Sequence, residues 1–205
     1  MDLKTTGQKI SIHHKSEIVG WLRPITKNIL TNIEEIHLLA KWRKENQRFF
    51  PSQFRVTLKG TKKWAEQELI NKKNRILFFI EINNEKAEII GHMGLNRFDS
   101  EKKTGQIDNV VRGKKKYKGI MTQALQTLIE WSFSELSLKH LTLITFADNN
   151  RAIALYKRCG FKNKKLIPVD QIKKGVELYW CPIKNKKQAK RYEREMILEN
   201  ATTIL

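Results

Sequence analysis

The stretch from Ala147 to Phe161 contains side chains whose types and spacing could serve chemistry. It reads ADNNRAIALYKRCGF, with two Asn residues near its start and Gly160 near its end. Asn149 and Tyr156 are seven residues apart, about two turns of an α-helix, so a helix here places both on the same side. A phenol in that position can donate a proton, although a half-buried aromatic beside the end of a helix is the simpler interpretation.

A second candidate is the basic loop that precedes a strongly apolar helix, in the segment VVRGKKKYKGIMTQAL. The start of a helix exposes unpaired backbone N–H groups and the positive end of the helix dipole, which together attract an anion. Gly119 lets the backbone approach that anion closely. Positive charge comes from Lys114, Lys115, Lys116 and Lys118. Taken alone, the segment fits an ordinary solvated loop equally well, because no GKS or GKT follows it.

The periodicity of apolar residues predicts the elements that position these two stretches. Strands are predicted at 19–26, 75–82, 87–98, 106–113 and 140–146, followed by a closing hairpin that ends at 183. Helices are predicted at 31–50, 61–70, 119–136 and from 150 onward. The order β-α-α-β-β-β-α-β-α-β-β predicts an α/β fold with a mixed central sheet, antiparallel in its first half, and helices on both faces.

The domain organisation follows from length and charge. No internal repeat or low-complexity linker interrupts the chain, so we expect one domain over residues 1–183. The remaining segment, 184–205, is highly charged, and we expect it to be a helical or flexible appendage.

The net charge is +19, from 40 Lys and Arg residues against 21 Asp and Glu residues. Such a charge suits nucleic acid, a membrane surface or small anionic ligands such as nucleotides. It can also reflect a general abundance of lysine. The densest cluster, RGKKKYKG at 112–119, is therefore more informative than the total.

Other features exclude further classes. Cys159 and Cys181 have no CxxC spacing and no neighbouring pair of histidines, so we expect reduced thiols and no metal site. No apolar run is long enough to cross a bilayer. The N-terminal segment MDLKTTGQKISIHHKS has no apolar signal core, so we expect a cytoplasmic protein.

The basic glycine loop, a helix, a strand and then NNRAIALYKRCGF, in that order, resemble the GNAT superfamily of acetyl-coenzyme A-dependent N-acetyltransferases. The resemblance covers the chain from about Trp21 to Ile183 and is sharpest over 107–161. It implies a central sheet whose fourth and fifth strands splay apart. It also implies that acetyl-CoA, as co-substrate, lies in the cleft between them.

The family's pyrophosphate loop is written Gln/Arg-x-x-Gly-x-Gly/Ala, and the resemblance places it at 116–121. The central glycine is present, whereas Lys replaces the first residue of the pattern and Met replaces the last. The resemblance implies that backbone N–H groups hold the pyrophosphate and that the preceding strand end contacts the pantetheine arm and the thioester. The implied cofactor-binding residues are Asn109, Val110, Val111, Lys116, Tyr117, Lys118, Gly119, Ile120, Met121, Thr122 and Asn149.

Acetyl transfer needs a neutral amine, a polarised carbonyl and a proton for the departing thiolate. The resemblance assigns the proton to Tyr156. The general base is less defined, because Ile144 stands where ribosomal-protein enzymes of the family often carry Glu. Asp108 is the first candidate and His92, whose ordinary titration range suits proton relay, is the second. A salt-bridged or capping role for Asp108 and a core position for His92 remain open.

The amine acceptor is the least defined part of the prediction. The first helix and neighbouring strands look like the GNAT branch that acetylates nucleotide-linked amino sugars. Trp42 and Phe49 could stack on a base or sugar, while Arg43 and Asn46 could reach phosphate or hydroxyl groups. Trp42 also lies at helical spacing with Ile36 and Leu39, as a core residue would.

Two alternatives to a small amine substrate, such as a nucleotide sugar, stay open. One is N-terminal acetylation of a ribosomal or other protein. The other is a non-catalytic nucleic-acid-binding protein, which is disfavoured because the sequence lacks the stacked-aromatic RNA signature and its basic residues are widely spread. The sequence leaves a homodimer open.

Overall fold

In the computed structural model, which describes residues 7–200, one ten-stranded sheet carries helices on both faces. The strands are β1 (Ile10–His14), β2 (Glu17–Pro24), β3 (Ser52–Gln53), β4 (Arg75–Ile82), β5 (Ile89–Asp99), β6 (Thr104–Arg112), β7 (His140–Phe146), β8 (Lys162–Lys174), β9 (Glu177–Pro182) and β10 (Arg191–Glu199). The α-helices are α1 (Ile33–Glu45), α2 (Leu58–Trp64), α3 (Ile120–Ser134) and α4 (Asn150–Arg158).

The strand order in the sheet is β1-β2-β4-β5-β6-β7-β10-β8-β9-β3. Neighbouring strands are antiparallel except β6 and β7, which run parallel and pair only over Thr104–Gln106 and His140–Thr142. Beyond these pairs the two strands separate. They are the fourth and fifth strands of the sequence prediction, so the predicted mixed sheet and its splayed cleft are confirmed.

The core has two layers, one on each side of the sheet, and β4 shows the alternation most clearly. Its Phe78 and Ile80 belong to the layer that also contains apolar residues of α3 and α4. Its Leu77 and Phe79 belong to the layer that contains apolar residues of α1. Because side chains alternate along a strand, one continuous apolar run supplies both layers.

Helix α1 is shorter than its prediction of 31–50. It begins after Asn32, whose side chain accepts a hydrogen bond from the backbone N–H of Glu35 at 3.1 Å. It ends at Glu45, and the chain continues as a 3-10 turn over Gln47–Phe49. The last five residues of the predicted helix, 46–50, instead belong to an irregular segment that reaches β3.

Helix α2 begins earlier than its prediction of 61–70. Thr57 caps the helix, because its Oγ1 accepts a hydrogen bond from the N–H of Gly60 at 3.0 Å. Past its last α-helical residue the chain forms a π-helical turn over Ala65–Ile70. Only the first part of the predicted helix is therefore regular.

Three strands lie where the sequence prediction has none: the two-residue β3, and the longer β1 and β10. β1 carries alternating Ile10 and Ile12, and it forms a hairpin with β2. β10 lies inside the segment that was predicted to be a helical or flexible appendage, and that prediction is wrong for 191–199. The strand pairs with β7 on one side and β8 on the other, and Met196 is completely buried. Five of its nine residues are charged, and they hid this strand from a prediction based on charge.

The described residues do not include 1–6 at the start of the predicted domain or 201–205 at the end of the predicted appendage. Among the helices of residues 7–200, none combines the length and the apolar character that crossing a membrane requires.

Candidate active site

A cleft of about 660 Å³ opens where β6 and β7 separate. It is lined by parts of five segments: 46–51, 106–112, 117–122, 144–145 and 149–158. These segments come from the end of α1, the strand β6, the loop before α3, the strand β7 and the helix α4. The splay of the sheet therefore brings the two stretches singled out in the sequence into one cavity.

The strand β6 offers open backbone groups to this cleft. It pairs with β5 along most of its length, but its pairing with β7 stops at Gln106. From Ile107 onward, the N–H and C=O groups on the β7 side have no strand partner among the described residues. They form a row of hydrogen-bonding groups that a ligand can use.

A bulge interrupts β6 within this row. Asn109 and Val110 together face the single residue Met93 of β5, and Asn109 has a φ of +51°. The carboxylate of Asp108 accepts hydrogen bonds at 2.8 Å from both the backbone N–H and the side-chain amide of Asn109. The carbonyl of Asn109 lies 2.8 Å from Nδ1 of His92. Hydrogen bonds thus hold both the N–H and the carbonyl of Asn109 at the bulge.

Asp108 lines the cleft and also forms an ion pair with Arg75, with 2.6 Å between carboxylate and guanidinium. Arg75 lies over the ring of Trp64, 5.4 Å from its centroid. The carboxylate is therefore fixed by three donors, and it remains partly exposed to the cleft.

His92 does not line the cleft. It is 4% exposed and its ring lies 5.9 Å from that of Trp42. Burial lowers the pKa of His92 to about 4, partly opposed by its hydrogen bond to Asn109, so the imidazole is neutral near pH 7. The structure places this candidate base behind β6, away from the cavity.

Trp42 also lies in the core rather than at the cleft. It is 1% exposed, and a Cβ atom on Gly113 would stand 1.9 Å from its indole ring. The predicted stacking of this indole on a base or sugar is therefore sterically unavailable. Its ring instead occupies the space that the glycine leaves at the end of β6.

Tyr156 faces the cleft from α4 and is largely buried. Burial raises the pKa of its phenol, and the negative charge of Asp108 raises it further. The phenol therefore stays protonated through the neutral range and well above it. The influence of Asp108 on Tyr156 also indicates that these two candidate catalytic groups face the same space.

Asn149 is the N-cap of α4. Its Oδ1 accepts a hydrogen bond from the N–H of Ala152 at 3.3 Å, and its side-chain amide lies 3.5 Å from Oγ1 of Thr145. Asn149 and Tyr156 both line the cleft, two turns apart on the same helix. The predicted spacing therefore does bring them to a single surface.

The loop before α3 is shaped by hydrogen bonds rather than by its lysines. The guanidinium of Arg112 donates to the carbonyl of Lys114 at 3.1 Å, to that of Lys115, and to that of Tyr117 at 3.1 Å. The phenol of Tyr117 donates to Glu88 at 2.6 Å, which anchors the loop to the start of β5. The ammonium of Lys114 pairs with the same carboxylate at 2.7 Å.

The loop ends at Gly119, which has a φ of +82° and caps α3 without a side chain. No atom would lie within 4 Å of a Cβ at this position, so space for a ligand remains above the helix N-terminus. The first backbone N–H groups of α3 have no partners within the helix and face this space. An anion at this position would meet the unpaired N–H groups that the sequence prediction invokes.

The positive charge that lines the cleft comes from arginines that the sequence analysis missed. Arg112, Arg151 and Arg158 all contribute to its wall. Burial lowers the pKa of Arg112, and the charge of Arg151 lowers it further, so these two guanidinium groups lie near each other. Arg151 and Arg158 are seven residues apart on α4, and the helical spacing used for the phenol could have found them as well.

The predicted cofactor residues divide into two groups. Those that line the cleft are Asn109, Val110, Val111, Tyr117, Gly119, Met121, Thr122 and Asn149. Those that do not are Lys116, Lys118 and Ile120, of which the two lysines are exposed and the isoleucine is buried in the core.

The opposite end of the cleft is formed by Asn46 and the segment 49–51. Arg43 does not line it. Instead its guanidinium donates to the carbonyl of Ser52 at 2.6 Å and lies 4.0 Å from the centroid of the Phe50 ring. Burial lowers the pKa of Arg43 to about 10. Arg43 therefore supports the segment 49–51 from the side away from the cleft. Of the residues predicted to bind the acceptor, Asn46 and Phe49 are the ones that line the cavity.

Two contacts from the C-terminal strands hold the same segment. Arg191 of β10 donates to the carbonyl of Arg48 at 2.8 Å, and the N–H of Trp180 in β9 donates to the carbonyl of Pro51 at 2.7 Å. Together with Arg43 they fix this wall of the cleft before any ligand binds.

Comparisons with known proteins agree with this architecture. Residues 21–162 match the model of the acetyltransferase (GNAT) domain. No sequence among the curated proteins matches significantly. The structure of spermidine N-acetyltransferase from Vibrio cholerae in complex with CoA and spermine superposes with a TM-score of 0.65 at 14% identity, over 90% of this chain and 97% of that chain. A dodecameric structure of the Vibrio cholerae enzyme superposes with a TM-score of 0.64 at 13% identity, over 89% of this chain and 95% of that chain.

A further neighbour is a probable acetyltransferase of the GNAT family from Chromobacterium violaceum. It superposes with a TM-score of 0.68 at 12% identity, over 94% of this chain and 87% of that chain. The family model spans well over half of the chain and includes β6, the basic loop, α3, β7 and α4. The chain therefore belongs to the GNAT family and is an N-acetyltransferase that uses acetyl-CoA as its co-substrate.

Proposed function

We propose that the cleft between β6 and β7 binds acetyl-CoA, with its pyrophosphate at the loop before α3 and its thioester between the Asn109 bulge and Tyr156. The observation that carries this proposal is the convergence of three features in one cavity. They are the open backbone edge of β6, the helix N-terminus at Gly119 and the buried phenol of α4.

The charges of the cavity suit this ligand. Coenzyme A carries a pyrophosphate and a further phosphate, and the cavity wall contains Arg112, Arg151 and Arg158. Guanidinium groups can bind phosphate with two parallel hydrogen bonds, and Arg151 and Arg158 are the proposed ligands. Arg112, whose Nε and Nη2 already donate to carbonyls of the loop, contributes its charge. Backbone N–H groups at the start of α3 add further donors.

The chain's own groups then have distinct roles. Backbone N–H groups along the open edge of β6 polarise the thioester carbonyl, an effect commonly worth about 3 kcal/mol per donor. The amine nitrogen forms the new C–N bond while the C–S bond breaks. Tyr156 supplies the proton that the sulfur takes up, because its phenol stays protonated in the buried site.

Asp108 is the proposed acceptor of the proton that the amine loses. It lines the cleft beside the bulge and is held by Arg75 at 2.6 Å. The pair keeps the carboxylate in one orientation, which is what a positioned base requires. His92 lies outside the cavity, so it has no direct access to the amine.

The acceptor is proposed to be a primary amine on a nucleotide-linked sugar, with a polyamine as the second candidate. The structural neighbours do not support the amino sugar, since two of them are spermidine N-acetyltransferases and one of these holds spermine, but at 14% identity or less such likeness concerns the fold alone. The argument for the sugar is the charge of the cavity. Among the described residues its wall contains one carboxylate, Asp108, which Arg75 already neutralises. A polycation is normally held by several free carboxylates.

The acceptor end of the cleft has the chemistry of a sugar-binding wall. Phe49 and Phe50 offer aromatic surface for the apolar side of a pyranose, and Asn46 offers a side-chain amide for a hydroxyl. Because the wall is fixed by Arg43, Arg191 and Trp180, its shape is set before the acceptor arrives.

The test is a screen of amines with acetyl-CoA, read as release of the free thiol. The amines are a nucleotide-linked amino sugar, spermidine and a peptide with a free N-terminus. We expect the amino sugar to give the highest kcat/KM, with a reaction without amine as the control. Preferred turnover of spermidine or of the peptide would replace the proposed acceptor. Release of no thiol with any of them would argue against the proposed cofactor cleft.

A further inference from the structure

His92 does not line the cleft, but it contacts the strand that does. It stands on β5 directly behind the bulge of β6, and its Nδ1 lies 2.8 Å from the carbonyl of Asn109. A carbonyl oxygen can only accept a hydrogen bond, so Nδ1 must carry the proton. The imidazole is therefore the Nδ1–H tautomer.

The carbonyl of Asn109 needs such a donor. Asn109 has a φ of +51°, in the left-handed region of backbone conformation that is unfavourable for residues other than glycine. Its N–H is held by Asp108, whereas its carbonyl accepts from the buried imidazole of His92. Without the imidazole this carbonyl would lose its donor, and the bulge would lose one of its two anchors.

The imidazole is itself held in place. Its ring lies 5.9 Å from the indole of Trp42, which in turn fills the space beside Gly113. Burial lowers the pKa of the ring to about 4, so the donor does not change between pH 6 and pH 8. These contacts link α1 to the strand that lines the cleft.

We propose that His92 is a positioning residue for acetyl transfer: its Nδ1–H holds the Asn109 carbonyl and thereby fixes the bulge that aims the open edge of β6 at the thioester. The inference rests on the proposed placement of acetyl-CoA in the cleft. It assigns His92 neither to the substrate nor to proton transfer.

A matched pair of variants separates the hydrogen bond from the packing. Asparagine and leucine have the same branched skeleton, and the amide nitrogen of asparagine can stand near the place of Nδ1. In His92→Asn we expect the dissociation constant for acetyl-CoA, measured by calorimetry, to stay within about threefold of the wild-type value. In His92→Leu we expect it to rise about tenfold. With the most active amine of the screen, kcat should fall in His92→Leu more than KM for the amine rises.

Equal behaviour of the two variants, whether both bind normally or both bind weakly, would overturn the proposal. The tautomer of the wild-type enzyme gives a second measurement if His92→Leu does not fold. Two-bond ¹⁵N–¹H correlation spectra should show Nδ1–H at pH 6 and at pH 8. An Nε2–H tautomer or a charged ring would contradict the inference. Absence of acetyl-CoA binding by the wild-type enzyme would count against the cleft itself, while the tautomer would still report on His92.

Discussion

Tyr156 shows at the residue scale how position changes the chemistry of a side chain. In water a phenol begins to lose its proton near pH 10, whereas burial and the nearby carboxylate of Asp108 raise the pKa of this phenol. A raised pKa keeps the acid form present at all ordinary pH values. The group is therefore suited to giving a proton rather than to taking one.

Replacing Tyr156 by Phe removes this proton and little else. We expect kcat to fall about 100-fold, within the usual range for loss of a general acid, while calorimetry shows unchanged affinity for coenzyme A. Tyr192→Phe, at an exposed phenol, is the matched control and should keep full activity. In the wild-type enzyme, a plot of the rate against pH should show no decline with an apparent pKa near 10, the ordinary value for a phenol. An unchanged kcat in Tyr156→Phe would remove the phenol from the mechanism.

His92 gives a prediction for stability. Burial lowers its pKa to about 4 from the ordinary 6.5, so between these values the unfolded chain binds a proton that the folded chain does not. The free energy of unfolding therefore decreases as the pH falls through this window, by up to about 1.4 kcal/mol per pH unit. We expect the melting temperature of the wild type to fall more steeply between pH 6.5 and pH 4.5 than that of His92→Asn. Parallel curves would contradict the shift.

What the sequence could predict about single residues depended on whether local spacing decides their position. The seven-residue interval placed Asn149 and Tyr156 correctly, because one helix carries both. Helical spacing with Ile36 and Leu39 left a core position open for Trp42 beside the acceptor role and did not decide between them, and His92 could not be placed by spacing. Their burial depends on the packing of α1 against β5 and on the absence of a side chain at Gly113, which are contacts between distant parts of the chain.

At the element scale, the loop between β6 and α3 is a rigid structure despite its many lysines. Arg112 donates to three of its carbonyl groups, and Tyr117 connects it to Glu88 at the start of β5. The sequence predicted the anion site from the lysines and the glycine. It could not show that an arginine at the strand end would close the loop, because that contact depends on how the loop folds back.

The anchor of this loop can be tested through Tyr117→Phe. Loss of the hydrogen bond to Glu88 should loosen the loop without removing a charge, so we expect KM for acetyl-CoA to rise about three- to tenfold with little change in kcat. Lys116→Ala serves as the comparison, since this exposed lysine does not line the cleft and should change KM less. A larger effect of Lys116→Ala would mean that diffuse positive charge, rather than loop geometry, holds the cofactor.

For the whole molecule, β10 is the element that the sequence concealed most completely. Its residues RYEREMILE look like a solvated segment when charges are counted, yet the strand lies between β7 and β8. Arg191 at its start reaches the carbonyl of Arg48 and so supports the acceptor wall. The short apolar run Met196, Ile197 and Leu198 was the available signal, and the surrounding charges masked it.

Met196→Lys tests whether the strand is part of the core. A lysine at this fully buried position would place a charge in the apolar layer that contains α3 and α4, and we expect a loss of more than about 3 kcal/mol in the free energy of unfolding, measured with urea. Val176→Lys makes a similar change at a 92% exposed position between β8 and β9 and should be nearly neutral. Similar stability of the two variants would contradict the placement of β10.

The position of β10 also has a consequence for how the protein is made. It is the last strand of the described chain to leave the ribosome, yet both of its neighbours precede it in translation. Until residue 199 has emerged, the edge of β7 that faces away from β6 is unpaired. The edge of β8 that later pairs with β10 is unpaired as well. Free edges can pair with strands of other chains, so we expect the nascent polypeptide to be prone to aggregation during this interval.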